Sequence, residues 1–83
     1  MQDKDQYAKK VAERMMETDY FTNWMGVQLL EIKNGYSKLQ MTLRKEMLNA
    51  FGIAHGGVTF ALADSAFAFA CNSDGKVTVA LDV

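Results

Sequence analysis

The sequence is short of several things at once: among 83 residues there is no proline, one cysteine (Cys71), one histidine (His55) and one tryptophan (Trp24). Without proline, and without a Gly/Ser-rich tract, nothing marks an interdomain hinge, so residues 1–83 read as one continuous domain. A single cysteine forbids an internal disulfide and makes a reducing cytoplasm the expected compartment. A single histidine beside it leaves no zinc-type ligand cluster, so the site is expected to need neither metal nor cofactor. Excess charge of either sign is missing too. Nine Lys plus Arg against ten Asp plus Glu give a net charge of −1 and a pI near 5.7. That balance argues against the basic field that nucleic acid or an anionic membrane requires. The longest apolar run, Val58 to Cys71, is broken by Asp64 and Ser65, and the acidic, polar start Met1-Gln2-Asp3-Lys4-Asp5 is not a secretory leader. A soluble, cytoplasmic protein is expected.

Charge that is present is unevenly placed. Residues 1–50 hold fifteen of the nineteen charged side chains, and residues 51–83 only Asp64, Asp74, Lys76 and Asp82, so the second part reads as core. Asp3 followed by Gln6 fits a capping box, and Tyr7, Ala8, Val11, Ala12 and Met15 recur at helical spacing as far as about Met16. From Thr18 to Gly26, Tyr20, Phe21 and Trp24 stand in a turn-prone setting, either as a corner covering the core or as part of a ligand pocket.

Val27–Lys33 and Tyr36–Arg44 flank Asn34-Gly35, a dipeptide suited to a type I′ hairpin turn. That turn sets a register in which Leu30 faces Leu39, with Ile32 on the same side and Leu39, Met41 and Leu43 forming the apolar face. After a mixed connection over Lys45–His55, eleven of the fourteen residues from Val58 to Cys71 are apolar. Alanines at 61, 63, 66, 68 and 70 favour helix, so a central helix surrounded by protein is expected. Asn72-Ser73-Asp74-Gly75 supplies a stop, and Val77, Val79, Leu81 and Val83 alternate as a further strand. Three strands barely cover such a helix. The expectation is that partner chains complete the core or that the sequence is a fragment of a longer domain.

Two features of this helix invite chemistry. Asp64 has Phe60 and Ala61 one turn before it and Phe67 and Ala68 one turn after. A carboxylate in that company must be hydrogen-bonded, protonated or opened onto a cavity. It serves either as a structural cap or as the acid, base or nucleophile of a site. Upstream, His55-Gly56-Gly57 precedes the helix, where amide N–H groups lack intrahelical acceptors and can hold an oxyanion, although such a pair is also an ordinary turn. Eight residues at 1.5 Å each place Gly56 and Asp64 roughly 12 Å apart along one helix. Both cannot touch one carbonyl, so if both act, the site takes Asp64 from one subunit and Gly56 from another.

The run Asn49-Ala50-Phe51-Gly52-Ile53-Ala54-His55-Gly56-Gly57, with Asp64 and then Ala66-Phe67-Ala68-Phe69-Ala70-Cys71-Asn72-Ser73, resembles the hot-dog-fold acyl-CoA thioesterases of the phenylacetic-acid-degradation (PaaI) type. The resemblance implies an α+β hot-dog fold, an antiparallel sheet wrapped around a long central helix, in homodimers or homotetramers with shared sites. It implies hydrolysis of an aryl-acetyl or medium-chain acyl-CoA. Asp64 would be nucleophile or general base. The Gly56 N–H would polarise the thioester carbonyl, Asn49 would orient water or substrate, and His55 would complete the catalytic set, either fixing the glycine turn alone or also contacting the thioester. Gly57 and Phe67 would contact substrate. Members of that family continue with further strands beyond the one at Val77–Val83, so the chain looks C-terminally truncated beside them. A non-catalytic acyl-CoA-binding module is the alternative, and hydratase chemistry a third reading.

Overall fold

The computed structural model describes residues 3–74; the expected strand at 77–83 lies outside the described residues. Along the chain come α1 (Lys4–Thr18), α2 (Tyr20–Met25), β1 (Gln28–Lys33), β2 (Tyr36–Gln40), a 3₁₀ turn (Lys45–Met47) and α3 (Gly56–Cys71). Helices and an antiparallel hairpin make the α+β class expected from the sequence.

α1 opens on Asp3, whose Oδ1 accepts the Asp5 N–H at 3.1 Å, and runs to Thr18, beyond the expected end near Met16. Asp19 then closes one helix and starts the next. Its N–H donates to the Met15 carbonyl (2.9 Å), while its carboxylate accepts the Thr22 N–H (3.1 Å), a side-chain cap at the start of α2. α2 stops at Gly26, whose φ of +77° is the left-handed C-cap that glycine adopts without strain.

The hairpin departs from expectation in three ways. Asn34 has no positive φ and only Gly35 does (+76°), so the turn is not type I′. Both turn amides are drawn elsewhere: Asn34 N–H donates to Asp5 Oδ1 (3.0 Å) and Gly35 N–H to Ser73 Oγ (2.7 Å). The pairing Lys33↔Tyr36, Ile32↔Ser37, Glu31↔Lys38 follows the expected register, but the ladder then slips at Leu30 and pairs Leu29 with Leu39. Leu30 therefore does not face Leu39; it is the extra residue of a bulge and is exposed. The bulge lets Leu29 and Ile32, three apart, both turn inward. β2 ends at Gln40, where β1 runs out at Gln28, rather than at Arg44. On the hairpin's outer side Tyr36 donates to Glu31 Oε2 at 3.0 Å, which holds the phenol above its usual pKa.

Two small cores seat α3. Ala8 and Ala12 bring α1 close enough for Phe69 (1% exposed) to pack against them and Ile32, with Met15, Met16, Leu29 and Leu39 around the edge. Burying a phenylalanine stabilises by about 1.5–3 kcal/mol, so this contact anchors the C-terminal half of α3. Met25, Val27 and Met47 form the second, against Val58, Ala61 and Leu62 of its N-terminal half. Among the described residues the helix is covered on one side. Of its side chains only Ser65 and Phe69 are buried, while Phe60, Ala63 and Asp64 are exposed, because the described elements cover one side of it.

Candidate active site

The helix N-terminus is prepared by a short, tightly bonded loop. Leu48 and Ala54 form an isolated antiparallel bridge, and Asn49 N–H donates to the Ile53 carbonyl at 2.8 Å. Inside this loop Asn49 Oδ1 accepts the N–H groups of Phe51 (2.9 Å) and Ile53 (3.2 Å), and Gly52 takes a φ of +74°. Asn49 is thus built into the loop through its oxygen, which leaves its amide nitrogen as the group that could address water or substrate. His55 N–H donates to the Met47 carbonyl (2.8 Å), fixing where the loop enters α3.

His55 is the N-cap. Its Nδ1 lies 3.5 Å from the Gly57 nitrogen, and its carbonyl accepts from Val58 (2.9 Å) and Thr59 (3.4 Å). That leaves the N–H of Gly56, first residue of the helix, without a hydrogen bond among the described residues. It is an available donor on an exposed residue at the positive end of a sixteen-residue helix. A Cβ placed on Gly56 would meet nothing within 4 Å, and one on Gly57 only the His55 ring at 3.8 Å, so the approach to both amides is open.

Asp64 is exposed on the open side of the same helix, with Phe60 one turn before it and Phe67 and Cys71 after it at helical spacing. The unbroken helix keeps it about 12 Å along the axis from Gly56, as the spacing required. Phe67 is half-buried and Gly57 exposed. Within one chain the structure therefore gathers Asn49, His55, Gly56 and Gly57 at one end of α3 and sets Asp64 with Phe67 apart from them. Among the described residues no group of three or more His, Cys, Asp or Glu could hold a metal ion. No helix there is long and apolar enough to cross a membrane.

Beside Gly57 lies a hollow of about 270 Å³ lined by Phe21, Trp24, Met47, His55, Gly57 and Ala61, among others. Tyr20, Phe21 and Trp24 do not cover the core; all three are exposed, Trp24 by 63%. Phe21 and Trp24 stack with centroids 6.0 Å apart, and the Arg44 guanidinium sits 4.9 Å from the Trp24 ring centre. Of the two roles open to this segment, the wall of a pocket is the one the structure supports. A larger hollow, about 520 Å³, runs along Lys9, Glu13 and Leu29 to Lys33 and includes none of the expected site residues.

Sequence reasoning passed over three residues behind this wall. Ser65 Oγ lies 2.9 Å from Thr22 Oγ1, which donates to Asp19 Oδ2 at 2.7 Å. Asp19 three residues before Thr22 is a readable capping signal. Nothing in the sequence announces that Ser65, 43 residues on, joins it.

No family model matches the sequence. A protein of Archaeoglobus fulgidus whose name assigns it provisionally as an esterase is 42% identical over 80 residues, 96% of this chain and 52% of its own length. The acyl-coenzyme A thioesterase PaaI of Escherichia coli is 41% identical over 69 residues, 83% of this chain and 49% of the relative. A solved structure of E. coli PaaI, from the phenylacetic acid degradation operon, superposes with a TM-score of 0.85 at 36% identity, covering 87% of this chain and 52% of that one. The chain belongs to the PaaI-type hot-dog family. It spans about half the length of the curated relatives it matches. The family's fold, a sheet wrapped on a long helix, is represented here by α3 and the β1–β2 hairpin.

Proposed function

We propose that this chain carries the oxyanion and carboxylate parts of an acyl-CoA thioesterase, which hydrolyses an aryl-acetyl (phenylacetyl-type) or medium-chain acyl-CoA to the free acid and CoA. The observation that carries the reading is the Gly56 N–H at the start of α3, which has no hydrogen bond among the described residues, with Asp64 two turns along that helix on its open side. An amide at a helix N-terminus suits the oxygen of a thioester as it becomes an anion, and it needs no reorganisation to do so. In the general-base form of the reaction the Asp64 carboxylate takes a proton from water, and the hydroxide adds to the thioester carbon. The Gly56 N–H holds the resulting oxyanion. Collapse breaks the C–S bond, CoA leaves as thiolate, and the proton on Asp64 neutralises it. In the nucleophilic form Asp64 itself attacks the thioester carbon and CoA leaves as thiolate, giving a mixed anhydride that water opens to the free acid and the Asp64 carboxylate, the released proton going to the thiolate. The Gly56 N–H has the same task in either case, whereas Asp64 is the base in one and the nucleophile in the other.

Asn49 would offer its amide nitrogen to water or substrate, His55 would hold the turn, and Gly57 and Phe67 would contact the acyl-thioester. The stacked Phe21 and Trp24 beside Gly57 suit a flat or long apolar acyl group. Because about 12 Å separates Gly56 from Asp64 in one helix, the site is read as shared: a homodimer, or a homotetramer of such pairs, in which α3 of each subunit lends Gly56 to one site and Asp64 to the other. The row of exposed Phe60 and Asp64 with half-buried Phe67 is the face read as making that pairing. We read residues 1–83 as belonging to one hot-dog domain, working in the cytoplasm without nucleic acid or membrane.

The direct test is free-thiol release from phenylacetyl-CoA by the full-length protein, with Asp64→Asn beside it. A positioned acid or base contributes about 10²–10⁴-fold, so the variant should lose that much in kcat. Saturable binding of the ester with no thiol released, or an Asp64→Asn enzyme as fast as wild type, refutes the reading.

A further inference from the structure

We infer that the hydroxyl chain Ser65–Thr22–Asp19 is a positioning device that sets the direction of Asp64 and couples it to the aromatic wall on α2. Thr22 is 1% exposed and Ser65 6%, so both hydroxyls are sealed from solvent and must satisfy each other. Thr22 has one hydroxyl proton, and it goes to Asp19 Oδ2 at 2.7 Å. Ser65 is therefore the donor in the 2.9 Å bond to Thr22 Oγ1, and the chain runs in one direction from α3 to the carboxylate that caps α2. Hydrogen bonds that end on a carboxylate are shorter and stronger than neutral pairs.

The consequence for Asp64 is geometric. Neighbouring side chains on an α-helix point about 100° apart, so pinning Ser65 against α2 fixes the direction in which Asp64 leaves the helix. A second clamp acts on the next residue: Ser37 Oγ of β2 donates to the Ala66 carbonyl at 2.6 Å. Asp64 thus immediately precedes two consecutive residues of α3 that are tied by hydroxyls to different elements, Ser65 to α2 and Ala66 to β2. Apolar packing alone tolerates small rotations of a helix, whereas directional bonds at Ser65 and Ala66 do not. Thr22 belongs to the same short helix as Phe21 and Trp24, so the chain also sets where the wall of the hollow stands relative to the carboxylate.

The inference rests on the proposed thioester hydrolysis, and the experiment separates the two. In the full-length protein, kcat and KM for phenylacetyl-CoA and thermal unfolding are measured for wild type, Thr22→Val, Thr22→Ser and Ser65→Ala. Thr22→Val keeps the shape of the side chain and removes the hydroxyl. It should lower kcat about tenfold with KM changed by less than twofold, Ser65→Ala should do the same to a smaller degree, and Thr22→Ser should restore kcat to within about threefold. In an Asp64→Asn background Thr22→Val should cause no further fall in rate, since it acts through that carboxylate. If Thr22→Val does not fold, the same comparisons are read from Ser65→Ala. Unchanged kcat in a folded variant, even with a lowered Tm, makes the chain merely structural and overturns the inference. An equal loss in the Asp64→Asn background overturns it too. A wild type that releases no thiol defeats the functional reading itself, and this positioning role with it.

Discussion

Gly56 occupies the first position of α3, the place in a helix where proline is accepted, because its missing N–H has no intrahelical acceptor to lose. The residue before it suits this as well: His55 has φ −61° and ψ 137°, the extended conformation that a following proline prefers. Gly56→Pro is therefore a deletion of one hydrogen-bond donor with the helix left standing. Removing one oxyanion donor typically costs about 10²–10³ in kcat, and that is the loss expected here, with the far-ultraviolet circular dichroism spectrum and Tm close to wild type. Full activity in Gly56→Pro would mean that this amide does not hold the oxyanion. At this scale the sequence was informative where a residue type has few uses: a glycine pair before an alanine-rich run, or a carboxylate inside it. It was silent on the Ser65–Thr22 bond, because serine and threonine are at home in cores, caps and surfaces alike and their partners are set by the fold.

Among the elements, α1 and the hairpin were legible from their periodicity and α3 from its alanine-rich composition, each with its own start or stop residue. α2 was not. Six residues are too few to show a helical pattern, and Tyr20, Phe21 and Trp24 read from the sequence as cover for the core ahead of a pocket wall. The structure makes α2 a shelf capped by Asp19 and Gly26 that carries a stacked Phe21–Trp24 pair beside the hollow. If that shelf receives the acyl group, Trp24→Ala should raise KM for an aryl-acetyl-CoA about tenfold and leave acetyl-CoA turnover nearly unchanged, since an aromatic contact is worth about 0.5–1.5 kcal/mol beyond its area. Equal effects on both esters would assign Trp24 to the scaffold instead. The bulge at Leu30 was hidden for a related reason: strict alternation from the turn puts Leu30 opposite Leu39, and only the need to bury both Leu29 and Ile32 against α1 and α3 overrides it.

For the molecule as a whole, the family and its fold class could be read from the residues around Asn49, His55, Gly56 and Asp64, and the E. coli PaaI structure shares that architecture. The enclosure of α3 could not be read, because a helix that is apolar on all sides calls for cover without naming which chain supplies it. Along the described residues one side of α3 meets α1, α2 and the hairpin, and the side bearing Asp64 stays open. The central claim is that two copies of this helix make each site. Mixing subunits tests it most directly. Full-length Asp64→Asn and Gly56→Pro proteins, each nearly inactive alone, are unfolded, combined in equal amounts and refolded together. In a two-fold dimer with shared sites, half the dimers are mixed, and each of those has one site with both groups intact, so about a quarter of wild-type activity should return. If Asp64 and Gly56 of the same chain serve the same site, no mixture can rebuild it, and activity no higher than that of the two variants alone would contradict the account.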